Sequence, residues 1–134
     1  MLVWIYGLFL LAHGIAHLVY TSLAMGWITQ ADVNSTWSGS SWLLSNLFGN
    51  QATRFFGAVI FAAITFCFAV AGAAWTFRQP WAPAWTTGVA IASIATIVLF
   101  WDGSLEDLVS KGLIGLLINA VLLVGLYVLH FPSL

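Results

Sequence analysis

The side chains able to do chemistry gather on one short stretch. Tyr6, His13, His17 and Tyr20 recur at spacings of 7, 4 and 3. At 3.6 residues per turn, all four fall on one face of a helix. Two imidazoles at i and i+4 supply half of a metal site. They also supply one axial ligand to a haem or pigment, or a pair of hydrogen-bonding groups. Ser93, Asn119, Arg54 and Asp102 are the polar residues best placed to join them. No Cys, Asp or Glu falls at the depth of the histidines, so a metal centre is not expected. Bis-histidine haem is not expected either. Its axial ligands face each other across the ring, which one helix cannot arrange, and His130 lies near the opposite end of the molecule. Single-histidine ligation of a haem or pigment stays open. So does a small polar pocket in which His17 and Asn119 hydrogen-bond a quinone, lipid or other amphiphile. The plainest reading is that these groups tie helices together. Cys67 is the only cysteine; it forms no internal disulfide and reads as a buried, inert thiol. No residue is assigned a catalytic role.

The elements that position these groups follow from composition. Of 134 residues, 62% are hydrophobic and 5% are charged, with three Lys or Arg and four Asp or Glu. A soluble domain carries about 25% charged residues, so a soluble enzyme, a nucleic-acid binder and a disordered chain are excluded. An integral membrane protein remains. A membrane helix needs roughly 20 apolar residues. Four stretches qualify, about 2–25, 55–77, 84–101 and 112–131, within a single transmembrane domain of 1–134. The start Met1-Leu2-Val3-Trp4 has no base and the first apolar run is long, so the first stretch reads as a span rather than a cleaved signal.

Four spans place both termini on one side and the 26–53 and 102–111 loops on the other. Within the first loop, Trp42 to Phe48 predicts a short interfacial helix. Pro80 and Pro83 stop the second span and prepare the third. Ser104, followed by Glu106 and Asp107, predicts one or two helical turns. Trp4, Trp27, Trp75, Trp81, Trp85 and Trp101 read as anchors at the membrane interfaces.

Lipid gives helices little hydrophobic reason to associate, so small residues must let them approach. Arg54, Ala58, Ala62, Thr65, Ala69, Gly72 and Thr76 form such a face on the second span. Phe56, Phe61, Phe66 and Phe68 lie opposite it, suited to lipid or to larger gaps. Gly88, Ala92 and Ala95 serve the third span. Gly112, Gly115 and Asn119 serve the fourth, with His130 returning to their face. The fold class is therefore all-α: a transmembrane four-helix bundle with a short interfacial helix in the first loop. At 1.5 Å per residue, His17, Ser93 and Asn119 all lie roughly 10–12 Å from the loop-side ends of their spans. A His17–Asn119–Ser93 layer beneath an Arg54–Asp102 ion pair is the expected geometry, with His13 and Thr65 one turn deeper.

His13-Gly14-Ile15-Ala16-His17-Leu18 resembles the HGxxHL first helix of a family of small, uncharacterised bacterial four-span membrane proteins. Ser41-Trp42-Leu43-Leu44, Arg54 with Gly57, Leu99-Phe100-Trp101, and Gly112 with Asn119 match further along the chain. In that family the Asn119 position is often Asp. The Gly-rich first helix also resembles DoxX-like four-span proteins. Gly14 to Leu18 is similar to the haem-ligating segment of succinate dehydrogenase anchors, but the Arg of those anchors is Ala16 here. The resemblance implies a multi-pass protein of a bacterial inner membrane. Three roles are then open. The chain is a non-catalytic accessory or structural component of a membrane complex or homo-oligomer, with the bilayer and other subunits or itself as partners. Alternatively it is a quinone-, lipid- or cofactor-binding redox-accessory module, or a transport subunit, for which one bundle is small.

Overall fold

A computed structural model describes residues 1–132; residues 133 and 134 of the expected domain lie outside the described residues. The described residues are helical, with no strand. Helix α1 spans Leu2–Ala16 and α2 Leu18–Met25; α3 is a short helix, Leu44–Phe48; α4 spans Asn50–Thr76, α5 Ala82–Leu99 and α6 Ile114–Tyr127. Four spans are long and apolar enough to cross a membrane: Leu2–Met25, Asn50–Thr76, Ala82–Leu99 and Val109–Tyr127. The protein is a transmembrane four-helix bundle with α3 in its first loop, where Leu47 and Phe48 are exposed.

The first span, α1 and α2, packs on α4; α4 packs on α5, and α5 on α6. Direct approach between the first and last spans is slight, which leaves a seam between them. Glycine makes the first contact possible. A Cβ on Gly7 would lie 2.5 Å from Thr76 Oγ1 and 2.7 Å from the Gly72 carbonyl, and one on Gly14 would lie 2.6 Å from Phe68 Cβ. The α4 stripe from Arg54 to Thr76 therefore lies against the first span. The Thr21 hydroxyl donates to the Ala58 carbonyl, and the Thr65 hydroxyl to the Gly14 carbonyl.

Two apolar clusters fill the interior. One, toward the termini, centres on Leu10, Phe68, Trp75 and Leu122. The other, toward the loops, centres on Trp37, Phe61, Ile97 and Phe100. Phe61 and Phe68 are thus core residues, whereas Phe56 and Phe66 are exposed. The reason is that α4 is covered on two sides, by the first span and by α5, so its buried face is wider than one stripe. Trp75 is likewise core; its indole N–H donates to the Thr86 hydroxyl, so it is not an interface anchor. On α5 the expected small-residue stripe, Gly88, Ala92 and Ala95, faces outward, whereas Ser93, expected in the polar layer, is buried with Thr96 and Ile97.

The helix limits also differ from expectation. α4 starts at Asn50, after Gly49 at φ 80°, and runs for 27 residues. That is roughly 40 Å, longer than the hydrocarbon core, so its first turns reach the interface. The last span opens with a wide π-type turn, Val109–Leu113, because Gly112 sits at φ 105° and the Leu113 amide reaches back to Leu108. A Cβ there would also meet Ile97 at 2.9 Å. Residues 102–107 are turns rather than helix. The Asp102 carboxylate accepts from the Ser104 amide and the Ser104 hydroxyl from the Glu106 amide, so side chains take the place of the helical ladder. α6 ends at Tyr127, and His130 lies beyond it, exposed and at φ 51°; it does not return to the Asn119 face. In the first loop, the Thr29 amide and hydroxyl both donate to Asp32 and hold its carboxyl below the usual carboxylate range. Those bonds are lost only as pH falls through that lowered value.

Candidate functional site

The polar layer lies between the two apolar clusters, and it begins with a local consequence of sequence. His17 is four residues after His13, so its ring reaches back along the helix. Nδ1 of His17 lies 3.0 Å from the His13 carbonyl. That carbonyl would otherwise accept the His17 amide, which bonds to Gly14 at i−3 instead, at 3.0 Å. The tightened turn divides α1 from α2 and turns the imidazole inward.

The other ring nitrogen, Nε2 of His17, lies 2.8 Å from Ser93 Oγ on α5. Asn119 Nδ2 on α6 donates to the same hydroxyl at 2.8 Å. Asn119 Oδ1 lies 3.0 Å from His13 Nε2. His13, His17, Ser93 and Asn119 are all buried.

Donor counting fixes the direction of this chain. A carbonyl only accepts, so with neutral rings His17 carries its proton on Nδ1. Its Nε2 then holds a lone pair and takes the Ser93 O–H. Ser93 Oγ accepts from Asn119, and Asn119 Oδ1 accepts from a proton on Nε2 of His13. The two histidines are therefore opposite tautomers. Three spans are joined, and His17 has no nitrogen left for a metal, haem or pigment. Among the described residues, no group of His, Cys, Asp and Glu is arranged to hold a metal ion.

The expected Arg54–Asp102 pair does not form. Arg54 Nε and Nη2 donate to the Ala24 and Leu23 carbonyls, at 3.2 and 3.1 Å. These carbonyls end the first span; that of Leu23 also accepts the Gly26 amide, so Arg54 takes its second lone pair, and a cation there meets the negative end of the helix dipole. Asp102 instead pairs with Lys111 at 3.0 Å, both largely buried. Lys111 starts the last span on the same side as Asp102, while the guanidinium of Arg54 is held at the end of the first span. The structure thus brings together His13, His17, Ser93 and Asn119, and places Arg54 and Asp102 in two separate end-of-helix roles.

Sequence reasoning did not single out Trp37 or Lys111. Trp37 is buried under the first loop, and its indole N–H donates to the Phe100 carbonyl at 2.8 Å. The Ser41 hydroxyl donates to Leu99, the Trp42 indole to Val98 and the Trp42 amide to Trp101. Together they satisfy the carbonyls left open where α5 ends. The signal is the run of Ser and Trp in a loop facing a helix end; the expected interfacial helix covers only Trp42 to Phe48 of it.

Two hollows lie along the seam between the first and last spans. The loop-side one, about 230 Å³, is bounded by His13, His17, Tyr20, Ser110 and Ile114. The other, about 420 Å³, is almost wholly apolar and bounded by Tyr6, Phe9, Leu117 and Val121. The Tyr6 hydroxyl is buried without a partner among the described residues. Comparison with protein-family models, curated proteins and solved structures finds no match.

Proposed function

We propose that this four-span protein, of the HGxxHL kind, is a non-catalytic accessory or structural component of a membrane complex or homo-oligomer in a bacterial inner membrane. One observation carries the reading: most polar groups of the interior are spent on one another, the Tyr6 hydroxyl and Nδ1 of His13 being the exceptions among the described residues. His17, Ser93 and Asn119 join three spans, Arg54 closes the first span, and Lys111 holds Asp102. The outer face supports an assembly role. Ala84, Gly88 and Ala92 line an outward apolar groove of about 700 Å³ between α4 and α5, where half-buried Cys67 also lies. Small residues facing outward suit close approach by another helix. Native mass measurement in mild detergent tests the proposal: it expects a defined oligomer or a co-purifying membrane subunit, and a solitary monomer at every detergent ratio contradicts it.

A second reading, an amphiphile-binding redox-accessory module, is favoured by the placing of both imidazoles on the loop-side hollow. An absorption spectrum together with extraction of bound quinones and lipids tests it, and a colourless protein free of both rejects it.

A further inference from the structure

The hydrogen-bond chain through the three spans has one unmet end. Its direction leaves a lone pair on Nδ1 of His13, and among the described residues His13 makes a single side-chain hydrogen bond, through Nε2. His13 as a whole is 6% exposed and lines the loop-side hollow. A neutral imidazole nitrogen that must accept, beside empty space, selects a ligand that donates. A quinone or an ester offers only acceptors and leaves that nitrogen unmet; a hydroxyl satisfies it.

Size and surroundings narrow the ligand. About 230 Å³ falls below the roughly 300–1,000 Å³ of sites that enclose a whole drug-sized molecule, so the hollow takes a head group. Three of its lining residues, His13, His17 and Tyr20, carry rings that suit a flat aromatic head; Ser35 and Ser110 also line it, and the rest are aliphatic or glycine. At its rim, Ala16, Val19 and Ile114 are exposed on the bilayer-facing surface, so access is from lipid. The apolar hollow further along the same seam, about 420 Å³, has the character to receive a hydrocarbon chain.

Resting on the second reading above, we propose that the seam binds a long-chain phenol, the class to which quinols belong. Its hydroxyl donates to Nδ1 of His13, and its chain runs along the first and last spans. The site discriminates by hydrogen-bond direction: the hydroxylated head binds and the head with acceptors alone does not.

The full-length protein, carrying ¹⁵N-histidine in lipid nanodiscs, is titrated with para-dodecylphenol and with the methyl ether of the same compound. Saturable binding of the phenol, an upfield move of the His13 Nδ1 resonance and at least tenfold weaker binding of the ether are expected. Ala16→Phe narrows the rim without touching the hydrogen-bond chain and is expected to abolish both binding and shift. Equal binding of phenol and ether overturns the donor assignment while leaving an amphiphile site in place. Saturation by neither overturns the proposal and the second reading together. A His13 shift that persists in Ala16→Phe overturns the location.

Discussion

At the residue scale, the conduct of each polar group follows from whether its hydrogen-bonding capacity is met. Ser93 accepts from Asn119 and donates to His17, so Ser93→Ala strands two buried partners. A buried group left unmet costs about 1–3 kcal/mol, and unfolding in mixed micelles is expected to show a loss of that size. Ser93→Thr retains the hydroxyl and is expected to lose less. Tyr6 is the opposite case. Its hydroxyl is buried and unpartnered, so Tyr6→Phe is expected to leave stability unchanged or raise it by up to about 1 kcal/mol. A clear loss in that variant would show that Tyr6 has a partner. The His13–His17 spacing was legible as one helix face, and the depth of Ser93 and Asn119 as one layer, because rise per residue needs only a sequence. The reach of His17 back to the His13 carbonyl was not legible, since it depends on a rotamer.

At the element scale, helix ends explain the charges better than ion pairing does. Arg54 serves the carbonyls of Leu23 and Ala24, and the Ser41–Trp42 segment serves those that close α5. Arg54→Met keeps most of the stem's apolar surface but removes both donors. It is expected to cost about 1–2 kcal/mol and to speed hydrogen exchange at the end of α2. Unchanged exchange at Leu23 to Gly26 would argue against a capping role. Spans two and three were readable from charge-free runs and prolines, within a few residues. The π-type turn at Val109–Leu113 was not, because Gly112 at φ 105° reads in sequence like any small packing residue. Orientation of the α5 stripe also escaped, since small residues serve an inner face and an outer one equally well. What decides is which side Trp75, Phe68 and Ile97 fill.

For the whole molecule, the bundle divides into an apolar end toward the termini, a hydrogen-bonded middle and a loop-capped end. The first and last spans are held across their seam chiefly by the polar chain and by the Tyr20 hydroxyl on the Ser110 carbonyl, at 3.2 Å. The opposite side, between α4 and α5, offers the open groove. A Cβ on Gly88 meets nothing within 4 Å, so Gly88→Leu is expected to fold with unchanged helicity. If the groove is an assembly surface, the same variant shifts the oligomer distribution toward monomer in native mass spectra. An unchanged distribution would move the interface elsewhere. Membrane class was evident from seven charges in the chain, but nothing in composition shows which outer face is covered.

One directed chain of hydrogen bonds runs through three spans. The most direct measurement is the ¹⁵N spectrum of histidine-labelled protein in bilayers near neutral pH, with His13 and His17 assigned by single substitution. The expected result is opposite neutral tautomers: protonated Nε2 with bare Nδ1 in His13, and protonated Nδ1 with bare Nε2 in His17. Two rings in the same tautomer, or averaging between tautomers as in free histidine, would contradict it.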